Sequence, residues 1–247
     1  AGGSLHDLTI NHASCDAVQF SHITLAGDLT ITAGALSTGS DKNLTVTGST
    51  GGAGTLTLNN STYTGGGSGS HLSMTGTVTI GTSGVITNLD QLGESGGTIT
   101  CTGSPTLGCE RWRQPTANWT PATSTLKIEN NNRLFQTSGY GVPYNLEIDN
   151  SGNTNELSNS VVVSNNLTIT AGTLDTSSSN HAITVTGHCN VGTAGTLTCN
   201  ASTCQFGSLE VTNSGSATMN FSSGTTTIDC STAGDDTWST QFGTSAT

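Results

Sequence analysis

The chain has 247 residues and a formal net charge of −11, with only 9% charged and 4% aromatic residues. Its five fixed cations, Lys42, Arg111, Arg113, Lys127 and Arg133, form no basic stripe, so nucleic acid is not an expected partner. No apolar run reaches membrane-spanning length and no signal peptide is visible, so membrane insertion is not expected either.

Little large apolar surface can leave a chain disordered, but the pattern from the first residues argues against that. Leu8-Thr9-Ile10, Leu29-Thr30-Ile31-Thr32, Leu44-Thr45-Val46-Thr47 and Thr55-Leu56-Thr57-Leu58 are apolar at every second position. A period of two sends one row of side chains inward and the other to solvent, and Thr and Val suit strands. The Gly-rich stretch 64–70 reads as a flexible loop or wide turn. Strands resume at 72–74, 78–80, 85–86 and 98–101. Residues 102–123 differ: they hold Trp112, Trp119, Arg111, Arg113, Pro105, Pro115 and Pro121, and read as an insertion or unit boundary. Thr125-Leu126-Lys127-Ile128 restarts the strands. Helical spacing is nearly absent.

The chain also repeats itself. Leu8-Thr9-Ile10 … Asp28-Leu29-Thr30-Ile31-Thr32-Ala33-Gly34 returns as Leu146-Glu147-Ile148 … Asn166-Leu167-Thr168-Ile169-Thr170-Ala171-Gly172. The expected fold is all-β, a parallel β-helix (β-solenoid) of two tandem units of about 138 residues. The first unit spans 1–124 and carries the Trp/Pro insertion near 102–123. The second spans 125–247 and reads as truncated from a longer array. About ten to twelve coils of roughly 20–25 residues would make a rod of roughly 50 Å. Leu8, Ile10, Leu29, Ile31, Leu146, Ile148, Leu167 and Ile169 are expected inside. Both ends read as open strand edges that neighbours would cover.

The cadence of Asn-Leu-Thr-Ile-Thr-Ala-Gly-Thr-Leu-Asp-Thr (166–176) and Ile-Thr-Val-Thr-Gly (183–187), with Asn118-Trp119-Thr120-Pro121 between units, resembles repeats of large phage fibre and structural proteins and of bacterial adhesin-like surface proteins. The resemblance implies a right-handed β-helix with a scaffold or interaction role. It supplies no catalytic signature.

Seven cysteines invite disulfides or metal. Register offers another reading: Cys101, Cys199 and Cys230 each follow an aliphatic residue by two, and Cys204 precedes Phe206 by two. They are expected as buried reduced thiols. Cys101/Cys109 and Cys199/Cys204 are the alternatives for bridges; Cys-x4-Cys without a second pair is a poor zinc site. Abundant core thiols suit a chain folded in a reducing cytosol, such as a virion protein.

Among candidate sites, Arg111, Trp112, Arg113 and Trp119 are the one cluster of large side chains, read either as an interaction patch or as a plug of the core. Glu147 and Asp149 face outward on one strand, the paired carboxylates of a glycan depolymerase or simply a solvated strand. Lys127 and Glu129 flank Ile128 in the same way. Of six histidines, His6 and His12 are close in sequence but lack a partner ligand. Thr-x-Thr pairs at 30/32, 45/47, 55/57, 77/79, 168/170, 184/186 and 196/198 could form an ice-binding lattice, but their spacing along the chain is uneven.

The expectation is a non-enzymatic structural or adhesive solenoid of a virion fibre or appendage, at the virion or extracellular surface. Its partners would be further copies or other structural proteins, or a cell-surface glycan. A bacterial adhesin and a tailspike-type glycan depolymerase are the alternatives. No cofactor or metal is expected.

Overall fold

The computed structural model describes residues 5–93, 96–113, 118–129, 141–212 and 216–228. These form 21 strands without an α-helix, and every pairing between them is parallel. The strands stack as a β-solenoid of about ten turns. The chain falls into two compact units, one running to Glu129 with residues 141–144, the other continuing from Asn145.

Each coil has three short sides. In the first unit, residues 8–10, 17–19 and 23–25 make one coil. They pair with 29–31, 36–38 and 44–46 of the next. Partners lie 19 positions apart at the Leu44↔Tyr63 step and 23 at Tyr63↔Ile86, and the difference is taken up in the corners. Alternation now acts in three dimensions. On the first side Leu29, Thr50, Leu72, Leu92 and Trp112 stack inward. The second stacks Leu36, Leu56, Val78, Ile99 and Trp119. The third stacks Leu44, Tyr63, Ile86, Leu107 and Leu126. All are buried. A fully buried Leu or Ile contributes roughly 1.5–3 kcal/mol, so a thin core suffices when every coil repeats it.

The second unit uses the same rules. Leu146↔Leu167 and Ile148↔Ile169 repeat Leu8↔Leu29 and Ile10↔Ile31, and the register breaks at Ile148/Asp149 and Asp149/Thr154 just as at Ile10/Asn11 and Asn11/Asp16. The corners match as well. Asp28 N–H donates to Asp7 Oδ1 (2.8 Å) and Ser49 N–H to Asp28 Oδ1 (2.7 Å). At the equivalent corner Asn166 N–H donates to Asn145 Oδ1 (3.3 Å) and His188 N–H to Asn166 Oδ1 (2.9 Å). An acceptor before each Leu-x-Ile therefore caps the next coil. Gly34 and Gly172 turn the matching corner with φ of 84° and 83°. A Cβ at Gly34 would lie 2.5 Å from the His12 carbonyl oxygen, so the position takes only glycine without strain.

Four details of the ladder bear on the expectations. Within residues 102–123, Thr106–Cys109 pairs with both Val85–Gly93 and Thr125–Glu129, and Arg111–Arg113 pairs with Val85–Gly93. Thr125–Glu129 pairs with Thr106–Cys109 and falls within the first compact unit. The Gly-rich stretch lies inside the strand Thr62–Met74 and makes its wide turn there, rounding a corner with register shifts at Thr64/Gly67 and Gly67/His71. Leu8 is only half-buried, because no described strand pairs on the far side of residues 8–10; the other seven side chains expected inside are buried.

Candidate functional site

Trp112 and Trp119 follow Leu92 and Ile99 in their ladders and point inward, 4% and 8% exposed. Their ring centroids lie 4.3 Å apart at 56°, a tilted aromatic pair. The indoles therefore fill the core, and neither is available as a surface anchor. Of the four residues of the expected patch, only Arg111 and Arg113 keep part of their surface.

Arg111 is itself committed. Its Nε and Nη2 both donate to Asp90 Oδ1, at 2.9 and 2.8 Å. Asp90 Oδ2 accepts from Gly69 N–H at 3.0 Å and lies 3.7 Å from His71 Nε2. Burial pushes the Asp90 carboxyl up, but the Gly69 N–H, the Arg111 guanidinium and His71 outweigh it and hold it below its ordinary value. Asp90 joins three successive coils through one carboxylate. The sequence marks it only as the charged residue between Leu89 and Leu92.

The paired carboxylates also have local roles. Glu147 and Asp149 are half-buried on the strand Asn145–Glu156, and Glu147 Oε1 accepts from Thr170 Oγ1 at 3.1 Å. Glu129 accepts from Thr87 Oγ1 at 3.2 Å and from Asn88 N–H at 3.1 Å. Its side chain crosses Gly108, where a Cβ would lie 2.8 Å from the carboxylate. The glycine thus lets one residue brace three coils.

The histidines stay apart. His6 is exposed and lies 3.1 Å from Asp7. His12 Nδ1 accepts from Ser14 N–H, and His22 Nδ1 from Asn43 N–H. His188 lies between Ser208 Oγ (2.8 Å from Nδ1) and Glu210 Oε2 (3.3 Å from Nε2), all on the outer surface of the second unit. Among the described residues, no group of three His, Cys, Asp or Glu side chains is placed to hold a metal ion. Nor is there among them a helix long and apolar enough to cross a membrane.

Cys101, Cys109, Cys189, Cys199 and Cys204 are buried and unbridged, and Cys15 is half-buried and unbridged. Burial pushes the Cys101, Cys109 and Cys189 thiols up. Cys204 raises Cys199 by hydrogen bonding, and burial adds to it; the same bond lowers Cys204. Cys230 lies outside the described residues. No protein-family model, curated protein or solved structure matches the chain.

Proposed function

We propose that this chain is a non-enzymatic structural module of a virion fibre or appendage, acting as a stiff spacer among copies of itself or other structural proteins. The observation that carries the reading is the use of the polar side chains. Asp7, Asp28, Asp90, Glu129, Asn145 and Asn166 all join one coil to another. Chemistry-bearing residues are thus spent on coil-to-coil cohesion, as a load-carrying repeat requires. The unbridged core thiols fit a chain folded in a reducing cytosol before assembly. That favours a virion over a secreted adhesin.

Two finer features belong to the same reading. The coils wind right-handed, the usual hand for parallel crossovers. The recurrence of corner caps and register breaks from Leu8 to Leu146 supports tandem duplication of a unit of about 138 residues. Virion or extracellular surface is the corresponding location.

Glu147 and Asp149 give the competing reading, a glycan depolymerase, its residues. Sedimentation of the chain and incubation with host capsular polysaccharide separate the two. The structural reading expects self-association and no oligosaccharide release. Release abolished by Glu147→Gln would replace it with the enzyme.

A further inference from the structure

The Thr-x-Thr pairs are irregular along the chain because they belong to different sides of the coil. Sorted by side, one set becomes regular. The strands Thr55–Leu58, Thr77–Ile80 and Thr98–Cys101 pair directly on the second side of the first unit, with no break in register. Thr55, Thr77 and Thr98 stack in one outward column, and Thr57, Thr79 and Thr100 in another; Thr120 extends the second column. Strand geometry sets the grid: about 4.8 Å between coils and about 6.6 Å between alternate residues along a strand.

Three further observations describe this face. First, its six paired threonines make no side-chain hydrogen bond to protein among the described residues, so no carboxylate covers their hydroxyls as Glu129 covers Thr87 and Glu147 covers Thr170. Second, those three strands carry no charged residue, while the same side of the second unit interrupts its columns with Glu156 and Asp175. Third, the grid is backed by the buried side chains of Leu56, Leu58, Val78, Ile80, Ile99 and Cys101, which fix its spacing.

We propose that this threonine grid binds ice. A solid water lattice is recognised by a flat, uncharged face whose hydroxyls and methyls hold hydration water at repeats of the lattice's own size. Charged groups defeat this, because they order water around themselves instead. Free hydroxyls in two fixed columns hold such water by hydrogen bonds, and the methyl groups between them restrict where it sits. The uneven sequence spacing is no objection, since the steps on this side are 22 and 21 residues, Thr55 to Thr77 and Thr77 to Thr98.

The test measures thermal hysteresis and partition into a slowly grown ice front for the purified chain. Thr79→Tyr, at the centre of the grid, is compared with Thr45→Tyr on the third side, and thermal unfolding checks both folds. The proposal expects the wild type and Thr45→Tyr to shape ice crystals and enter the ice, and Thr79→Tyr to lose both effects. Thr57→Tyr and Thr77→Lys repeat the test should Thr79→Tyr unfold. Absence of hysteresis and of ice partition in the wild type overturns the proposal. Wild-type behaviour of the folded grid variants, or equal loss in Thr45→Tyr, overturns it too.

Discussion

Thr50 Oγ1 and Tyr63 Oη lie 2.7 Å apart inside the first unit, both side chains fully enclosed. Tyr63 is the large member of a ladder between Leu44 and Ile86, and Thr50 is the small member of the neighbouring ladder between Leu29 and Leu72. The smaller side chain makes room for the ring and supplies the partner that its hydroxyl needs. In the second unit Cys189 and Cys204 take the two positions, and the next ladder position changes from Gly65 to Phe206. Core volume is redistributed among positions rather than lost.

Tyr63→Phe leaves the buried Thr50 hydroxyl without its partner and is expected to cost about 1–3 kcal/mol. Adding Thr50→Val should recover part of that loss, because both polar groups are then removed. Denaturant unfolding of the two single variants and the double variant checks this. Additive losses would show that the two hydroxyls are not coupled.

Trp112→Ala should behave as a core truncation, destabilising the first unit by about 3–5 kcal/mol. A loss of less than about 1 kcal/mol in urea unfolding, typical of a surface site, would contradict the burial of the indole.

How the indole came to be buried shows what the sequence could and could not reveal. The alternation of Arg111-Trp112-Arg113 is a strand signal in itself, polar either side of apolar, and it places Trp112 after Leu92. Its aromatic, Pro-rich surroundings made the segment look foreign to the ladder. Size and composition misled where period did not. Period likewise identified Ile10, Leu29, Ile31, Leu146, Ile148, Leu167 and Ile169 as core. It could not assign a strand to one of three sides, because corners of variable length separate them. That is why the threonine grid and the reach of Glu129 over Gly108 emerge only in three dimensions.

The Asp90–Arg111 contact predicts a specific pH dependence. The Asp90 carboxyl is held below its ordinary value in the folded chain. Its contribution is therefore present above the ordinary carboxylate range and is lost as pH falls through the lowered folded value. At neutral pH Asp90→Asn should cost about 1–3 kcal/mol, less than a fully buried pair because Arg111 is partly exposed. The gap between wild type and Asp90→Asn in urea unfolding should narrow in acid. A gap that is constant with pH would show that the charge contributes nothing.

Native thiol chemistry should separate Cys15 from the rest. In a Cys230→Ser background at pH 8, Ellman's reagent should label Cys15 quickly and the five buried thiols only as the fold opens. Denaturation without reductant should then release all six. Recovery of four or fewer would reveal bridges and favour an extracellular adhesin.

Immunogold labelling of gradient-purified particles tests the central claim most directly. Antibody raised to this chain should decorate a fibre or appendage of intact virions at several sites per particle, with the chain recovered from those particles by mass spectrometry. Labelling confined to bacterial envelopes or to soluble secreted material, with particles unlabelled, would contradict the account.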